Sequence, residues 1–378
     1  AGVYMFSRIF PFFASSPTAM GVALAIGTIT MLLSSTMAMA TYDLKQVWAY
    51  STISQLGFMV MGLAAGGYFA GVFHLTTHAG FKALLFLCSG IFIHEYHTND
   101  MREIGRGGGR SLKVPMVCMT VGALALAGIA PFAGFFSKEA ILGVLAGQSN
   151  KIWLFAGLFG AFLTAYYSFR LIFFVACPQA IAAGHGHGED HGHGHDSHGE
   201  HHSYIFWCMA VPVMILATVT LVLGFGQSGL EHFLLPKTAV AHGGAHEGGH
   251  GGGHLWLLVT AVTAAVSGIG LAWFEFGRKG AKQEGFLRQF PRVEELFARR
   301  WYMDDMLRWL LDTVVYCGFT SVFTRNDRRV IDGGLDGFCR FTVGSGRVAS
   351  FLQSGMLQYN LMVMIAAVGF LVLVFVTR

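Results

Sequence analysis

Long apolar segments recur along the whole chain, and they predict its secondary structure. Each runs for about 20 residues, the length that an α-helix needs to cross the hydrocarbon core of a bilayer. We predict spans at residues 1–13 (in part), 18–40, 45–66, 69–96, 115–146, 151–176, 204–226, 255–276 and 355–376. The pattern therefore predicts an all-α fold, a polytopic bundle of transmembrane helices.

One of these spans carries an internal break. Pro131 lies within GIAPFAGFF, near the middle of the 115–146 segment. A broken helix is tolerated at membrane depth where the freed backbone groups face protein or water. We therefore predict one discontinuous helix, although a plain proline kink fits the same residues.

Residues 304–350 have a different pattern. Charged side chains stand among apolar ones at helical period: Asp304, Asp305, Arg308 and Asp312 among Trp309, Leu310, Val314 and Cys317. The segment is too charged to cross a bilayer and indicates an amphipathic lateral helix, which lies along the surface or against neighbouring helices. Gly333, Gly334 and Gly337 weaken its continuation, and residues 351–378 then supply a final transmembrane anchor.

Composition agrees with a membrane protein. The chain has 378 residues, of which 54% are hydrophobic and only 12% charged, whereas soluble domains carry about 25% charged residues. The net charge of +4 is small, and no nucleic-acid-binding pattern is present. The six cysteines are scattered without a CxxC pair, so we expect neither a disulfide framework nor a redox centre in this chain.

Lysine and arginine in the connections predict the orientation. The connections at 97–114 and 277–303 are basic, whereas those at 147–150 and 227–254 have almost no Lys or Arg. Since cytoplasmic loops carry the excess of basic residues, we place the basic connections in the cytoplasm, most simply at a bacterial inner membrane. We therefore predict six parts along the chain. They are a helix bundle (1–176), a His-rich cytoplasmic loop (177–203), two spans with a Gly/His-rich loop (204–276), a basic connector (277–303), the lateral helix (304–350) and the anchor (351–378).

The His-rich loop contains HGHGEDHGHGHDSHGEHH at 185–202. Imidazoles at this density bind transition metals adventitiously, but the glycines leave the ligands without fixed geometry. We predict a solvated loop and no defined metal site, with metal delivery or proton buffering as the alternatives. Any metal ligands would come from His185, His187, His191, His193 and His195.

Ionisable residues inside the spans are the main functional signal, because a charge at the centre of a bilayer costs about 2.5–3.5 kcal/mol on insertion scales. His74, His78 and Lys82 are four residues apart and share one helix face. Lys138 and Glu139 follow the Pro131 break. Further candidates near span ends are Asp43, Lys45 and Arg170.

This series suits the movement of protons through a wet, polar axis. Asp43 and Glu139 are candidate pKa-tuning partners, whereas Lys45 and Arg170 lie close enough to span ends to reach the headgroups instead. Side chains alone do not bridge the gaps, so we expect waters held by hydroxyls at Thr52, Ser54, Thr76, Thr77, Thr164 and Ser168. Haem ligation is a weaker alternative, because His74 and His78 share a helix face with a lysine.

Three sequence blocks carry a family resemblance. DLKQVWAYSTISQLGFM (43–59), FHLTTHAGFKALLFLCSG (73–90) and AGIAPFAGFFSKEAIL (127–142) resemble blocks of the antiporter-like membrane subunits of respiratory complex I. The lateral helix followed by a last span is similar to subunit L (NADH dehydrogenase subunit 5). The resemblance implies that a hydrated axis is lined by Lys45, His74, His78, Lys82 and Lys138, with Lys138 on the discontinuous helix as the terminal site.

The same resemblance implies a function. A proton-translocating membrane-arm subunit of NADH–quinone oxidoreductase is expected, driven by quinone reduction in partner subunits that hold FMN, iron–sulfur clusters and quinone, with no cofactor in this chain. Other antiporter-like subunits would be its neighbours along the lateral helix. The alternatives are a subunit of a multisubunit Na⁺/H⁺ antiporter or of a membrane-bound hydrogenase-type complex. The family's glutamate–lysine pair on earlier helices has no counterpart here, so we expect a later portion of a longer protein that holds one half-channel.

Deleting residues 185–202 should leave proton translocation near normal, because this loop lies outside the family pattern and its glycines fix no ligand geometry. Proton yield per electron in vesicles measures this. A large loss would support the proton-buffering alternative.

Overall fold

The computed structural model describes residues 1–177, 199–234, 255–278, 281, 285–352 and 355–377, with side chains from 205 onward in the second stretch. Regular structure in these ranges is helical, apart from an isolated bridge between Asp43 and Asp100. The described residues form two units, Ala1–Trp301 and Tyr302–Arg378. The histidines at 185–198 and 242–254 lie outside the described residues.

The first unit contains thirteen α-helices within the described ranges. They are α1 (Gly2–Arg8), α2 (Phe10–Ala14), α3 (Pro17–Ala40), α4 (Leu44–Ala64), α5 (Tyr68–Tyr96), α6 (Met101–Arg106), α7 (Lys113–Ala127), α8 (Ala133–Ala146), α9 (Ile152–Ala176), α10 (Gly199–Val222), α11 (Gln227–Leu234), α12 (Leu255–Ala272) and α13 (Pro291–Ala298).

The second unit contains one long helical stretch and a final helix. The stretch consists of α14 (Met303–Leu310), α15 (Ser321–Asn326) and α16 (Gly333–Leu352), joined by π-helical segments at Leu311–Thr320 and Asp327–Asp332. It continues through the glycines at 333, 334 and 337, which the sequence indicated as weak points. The final helix is α17 (Leu357–Val376).

Seven helices in the described part of the chain are long and apolar enough to cross a membrane. They are Pro17–Ala40, Leu44–Ala64, Tyr68–Tyr96, Ile152–Ala176, Ile205–Leu234, Leu255–Gly277 and Leu357–Val376. The prediction of an all-α, multi-pass membrane protein is therefore confirmed.

Close backbone contacts hold the helices of the first unit together. Where α3 crosses α4, a Cβ placed on Gly57 would lie 2.7 Å from the Gly27 carbonyl oxygen. Where α12 crosses α9, a Cβ on Gly268 would lie 2.5 Å from the Phe162 carbonyl oxygen. Small residues at such crossings let membrane helices pack closely in the absence of a strong hydrophobic driving force.

The predicted discontinuous helix is present as α7 and α8. Helix α7 ends at Gly128, whose φ of 79° is left-handed, and the Ile129 N–H donates to the Leu124 carbonyl at 3.1 Å. This ending is typical of a glycine-capped helix C-terminus. The chain then passes through the cis Ala130–Pro131 bond, and α8 begins at Ala133. The Pro131 region is a true break and not a kink within one helix.

A short connection ties the start of α4 to the end of α5. The Leu44 N–H donates to the Asn99 carbonyl at 2.8 Å, and the Met101 N–H donates to the Tyr42 carbonyl at 3.0 Å. Asp100 caps α6 and pairs with Arg102 at 2.6 Å. Partial burial opposes ionisation of Asp100, but hydrogen bonds from the Arg102 side chain and backbone hold the pKa of this carboxyl below its ordinary value.

Gly134→Ala should destabilise the break, because a Cβ at this position would lie 1.8 Å from the Ala125 carbonyl oxygen of α7. Forcing extra volume into a packed contact costs about 1–3 kcal/mol. A lower melting temperature of the purified protein in detergent measures this. Gly143→Ala on the same helix is the matched control, since a Cβ there meets nothing within 4 Å. Equal melting temperatures for the two variants would contradict the expectation.

Candidate functional site

Two histidines and two lysines lie buried inside the first unit. His74, His78 and Lys82 project from one face of α5 with exposed fractions of 0%, 6% and 5%, and Lys138 on α8 is 4% exposed. The i, i+4 spacing explains why the three residues of α5 share a face. The break in the α7–α8 helix places Lys138 in the same interior.

The first hydrogen-bonded segment surrounds His74. Its Nδ1 lies 2.8 Å from the Ser137 hydroxyl of α8, and its Nε2 lies 3.0 Å from the Gln55 side-chain oxygen of α4. Gln55 Nε2 donates to the Thr164 hydroxyl of α9 at 3.3 Å, and the Thr77 hydroxyl donates to Ser137 at 2.9 Å. One histidine thus connects side chains from three other helices.

The second segment surrounds Lys82. Its Nζ donates to the Ser51 hydroxyl at 2.7 Å and to the Trp48 carbonyl at 3.1 Å, and it lies 5.5 Å from the centre of the Trp48 ring. The Tyr167 hydroxyl of α9 donates to the same Ser51 oxygen at 2.9 Å. Charged groups buried in a protein require such partners, and the aromatic face adds a further favourable contact.

His78 and Lys138 belong to neither segment. The His78 ring centre is 6.2 Å from that of His74 and 5.3 Å from that of Phe81. Within the described ranges, His78 Nε2 and Lys138 Nζ are buried and have no hydrogen-bond partner. Nearly all buried polar atoms in proteins are hydrogen-bonded to protein or water, so these two atoms are exceptional.

The four groups are also coupled electrostatically. Lys138 acts on His74, His78 and Lys82 through its charge, and Lys82 acts on His78. Charge interactions of this kind are stronger inside a protein than in water, because the effective dielectric constant is lower. A change in the protonation of one member therefore changes the energy of a proton on the others.

The Lys138 side chain packs against the break between α7 and α8. A Cβ on Gly128 would lie 3.0 Å from Lys138 Cδ, so the lysine stem packs directly over the glycine that ends α7. The end of α7 thus forms part of the surroundings of the lysine side chain. A larger residue at position 128 would meet the side chain as well as the left-handed backbone conformation.

Two sequence-predicted site residues have other surroundings in the structure. Lys45 is exposed on the first turn of α4. Asp43 caps that helix, since its Oδ1 accepts a hydrogen bond from the Gln46 N–H at 2.8 Å. The placement gives Asp43 a capping role because the carboxylate lies where α4 leaves backbone N–H groups unpaired. Glu139 follows Lys138 on α8 and is half-buried.

Arg170 is buried and does not reach the headgroups as the snorkelling alternative expected. Its Nη1 donates to the Thr41 carbonyl at 2.8 Å, and its guanidinium lies 4.6 Å from the centre of the Tyr42 ring and 5.2 Å from that of Phe174. Thr41 is the C-terminal cap of α3, where a cation is favoured by the helix dipole. The contacts indicate a structural role for Arg170.

The predicted hydroxyls divide into two groups. Thr77 and Thr164 are part of the His74 segment, Ser54 hydrogen-bonds to Ser35 at 2.8 Å, and Ser168 is buried with no partner among the described residues. Thr52 and Thr76 donate to carbonyls of their own helices, at Trp48 and Val72. These two therefore take no direct part in the interhelical network shown here.

The sequence analysis missed four members of the network: Ser51, Gln55, Ser137 and Tyr167. A signal for three of them was present, since Ser51 and Gln55 are one helical turn apart within the first family-like block and Ser137 directly precedes Lys138. Tyr167 had no comparable signal, because it lies among several aromatic residues of α9. Its role depends on the packing of α9 against α4.

The haem alternative does not fit His74. Both ring nitrogens of this histidine are engaged by Ser137 and Gln55, whereas an axial ligand needs one nitrogen free for the iron. In the part of the chain that the structure describes, no group of three or more His, Cys, Asp or Glu residues could hold a metal ion. The possible ligands of the His-rich loop lie outside that part.

The bundle, the broken helix and the buried lysine–histidine cluster together define an antiporter-like membrane protein. Residues 1–164 match the family model described as NADH:quinone oxidoreductase/Mrp antiporter, transmembrane. All three sequence blocks lie within the matched residues, and the resemblance inferred from them is confirmed.

Curated relatives match nearly the whole chain. It is 32% identical to NAD(P)H-quinone oxidoreductase chain 5 of Picosynechococcus sp. over 98% of this chain and 58% of the relative. It is 31% identical to F(420)H(2) dehydrogenase subunit L of Methanosarcina mazei, over 99% of this chain and 57% of the relative. It is 32% identical to NADH-quinone oxidoreductase subunit L of Pseudomonas aeruginosa, over 95% of this chain and 54% of the relative. The chain thus spans less than two thirds of the length of these relatives.

A solved structure shares the fold. The structure of an Mrp complex from Dietzia sp. matches 81% of this chain and 32% of its own chain, with a TM-score of 0.52 and 24% identity. At this identity the likeness concerns the fold alone.

Ser51→Ala should destabilise the first unit, because the buried Lys82 and Tyr167 lose their shared hydrogen-bond partner. Leaving a buried donor unsatisfied costs about 1–3 kcal/mol. Thermal unfolding of the purified protein in detergent measures the change. Ser89→Ala is the control, since Ser89 is equally buried but donates only to the Leu85 carbonyl of its own helix. A loss no larger than that of the control would show that the contact contributes little.

Proposed function

We propose that this chain is a proton-translocating membrane subunit of an NADH–quinone oxidoreductase, driven by quinone reduction in partner subunits. The observation that carries the proposal is the buried cluster of His74, His78, Lys82 and Lys138 inside a bundle of apolar helices. The names of the relatives, NADH-quinone oxidoreductase subunit L among them, support the same class.

The cluster supplies the groups that a proton path requires. The His74 segment and the Lys82 segment are each hydrogen-bonded across helices, and His78 and Lys138 lie outside both with buried atoms that have no partner in the described chain. Water between them would complete a chain of donors and acceptors. In this proposal His78 and Lys138 are the link between the two segments.

Charge coupling supplies the driving principle. Moving one elementary charge against 100 mV requires about 2.3 kcal/mol. Two like charges inside a protein repel with an energy of about this size or more at separations of several ångströms. A positive charge moved toward Lys82 therefore favours loss of a proton from Lys138. The resemblance implies that Lys138, on the broken helix, is the terminal site.

The remaining roles follow from the resemblance and stay proposals. Lys45 is assigned to the axis by its sequence block but is exposed, so its variant is included in the test below. Glu139 and Asp43 remain candidate tuning partners. We propose that FMN, iron–sulfur clusters and quinone are held by partner subunits, that antiporter-like subunits adjoin the lateral helix, and that the basic and His-rich connections are cytoplasmic in a bacterial inner membrane.

A cation/proton antiporter subunit is the second candidate. One observation favours it: the family description includes the Mrp antiporters. In this version the same buried cluster would serve a proton path driven by an ion gradient. A membrane-bound hydrogenase-type complex is a third version, with a different electron donor.

Lys82→Met and Lys138→Ala should each bring the proton yield per electron well below that of wild type, because each removes a protonatable group from the buried cluster. Assembly should remain largely intact, since neither substitution adds volume. The measurement is proton uptake by liposomes that contain the purified complex, relative to NADH oxidation.

Lys45→Met is the comparison variant, since it removes an exposed lysine of the same type. We expect a proton yield close to wild type. A loss equal to that of Lys82→Met would support the family-based assignment of Lys45 against its exposed position. Normal yields in both the Lys82 and the Lys138 variants would refute the relay.

Gentle detergent extraction of the native membrane separates the candidate functions. NADH–quinone activity that comigrates with this chain supports the redox-driven pump. Migration without flavin or iron–sulfur absorbance, together with sodium–proton exchange in vesicles, would identify an antiporter subunit and remove the proposed redox partners.

A further inference from the structure

The hydrogen bonds around His74 have directions that the heavy-atom positions determine. The Thr164 hydroxyl lies 2.7 Å from the Gly160 carbonyl, one turn earlier in its own helix, and this bond uses its single hydrogen. Thr164 therefore accepts from Gln55, and the Gln55 NH₂ group faces Thr164. The other side of the amide, its carbonyl oxygen, must then face His74 Nε2.

This orientation fixes the tautomer of the neutral histidine. Since Gln55 presents an acceptor to Nε2, that nitrogen carries the hydrogen and donates it. Nδ1 is then the basic nitrogen and accepts from the Ser137 hydroxyl at 2.8 Å. The single hydrogen of Ser137 is used in this bond, so Ser137 accepts from Thr77 at 2.9 Å. One assignment satisfies the whole segment.

A second assignment is available to the same atoms when His74 carries two hydrogens. Nδ1–H then donates to Ser137, whose hydroxyl turns toward the Ala133 or Gly134 carbonyl, each 3.4 Å away. Thr77 turns toward the His74 carbonyl at 3.1 Å. Only hydroxyl rotations are needed. The replacement bonds are longer than those they replace.

The two sides of the ring are chemically unequal. Ser137 can reverse its bond, but the Gln55 amide is held by Thr164 and offers Nε2 an acceptor that does not take up a proton near neutral pH. The hydrogen on Nε2 is therefore retained. Proton exchange with His74 takes place at Nδ1, on the side of Ser137.

We propose that Ser137 is a positioning residue that holds His74 as its Nε2-protonated tautomer and reverses its hydroxyl when Nδ1 takes up a proton. His74 then stores a proton and returns it on the Ser137 side, instead of passing it through to Gln55. This inference rests on the proposed proton-translocating function for its consequence, though not for the tautomer itself.

The step balances as a simple proton transfer. An ammonium or hydronium on the Ser137 side loses a proton and a new N–H bond forms at His74 Nδ1. The Ser137 O–H bond stays intact, and the hydroxyl rotates so that its hydrogen points to the Ala133 or Gly134 carbonyl. The charged and titratable groups that act on His74 are His78 on its own helix and Lys138 on α8. Lys82 on α5 and Tyr167 on α9 lie in the same interior, and Glu139 follows Lys138.

Nitrogen-15 NMR of the histidine-labelled complex tests the tautomer, because protonated and unprotonated ring nitrogens have distinct shifts. The His74 signals are assigned by their loss in His74→Gln. We expect Nε2 protonated and Nδ1 unprotonated but hydrogen-bonded near neutral pH. Ser137→Ala should move only the Nδ1 signal, to that of a nitrogen without a hydrogen bond, and Gln55→Leu should give mixed tautomers.

A wild-type His74 protonated on Nδ1, or an Nδ1 signal unchanged in Ser137→Ala, would overturn the inference whatever the pumping results. For the functional consequence, Ser137→Ala should lose as much proton yield as His74→Gln, whereas Ser137→Thr, which keeps the hydroxyl, should retain most of it. Yield lost equally in the Thr and Ala variants would refute the hydroxyl's role. Failure of the proposed function is separate, because it is read from the Lys82 and Lys138 variants.

Discussion

Inside a bilayer, the protein itself must solvate any ion that it carries. Lys82 shows how this is done: its ammonium donates to Ser51 and to the Trp48 carbonyl, and the Trp48 ring lies beside it. These partners come from α4, and Tyr167 of α9 shares Ser51. The packing of α4, α5 and α9 thus brings together the partners of one buried amine, and an unpaired charge in hydrocarbon is costly.

The break between α7 and α8 follows the same constraint. A continuous helix would satisfy its backbone internally and leave no carbonyls or N–H groups for other use. Here Gly128 ends one half, Gly134 lies directly against the Ala125 carbonyl, and Ser137 and Lys138 enter the polar interior one turn later. The small residues serve the same site as the polar ones, because they let α8 come close enough to α5 for Ser137 to reach His74.

The buried polar groups differ in how completely they are hydrogen-bonded. His74 is bound on both ring nitrogens and Lys82 on its ammonium, whereas His78 and Lys138 contact no hydrogen-bond partner in the described chain. Fully bound groups hold a fixed geometry. In contrast, Arg170 is buried against the Thr41 carbonyl and two aromatic rings, which suits a permanent charge that stabilises the helix ends.

The sequence by itself determined the helices, the break and the identity of the buried cations, because hydropathy and helical period are local properties. The four-residue spacing of His74, His78 and Lys82 places them on one face whatever surrounds them. Their partners were decided by tertiary structure alone. Gln55, Ser137 and Tyr167 reach the site only because α4, α8 and α9 pack around α5, and Lys45 is exposed although its block resembles the rest. A side chain's direction on its helix follows from the sequence, but what it meets depends on how the helices cross.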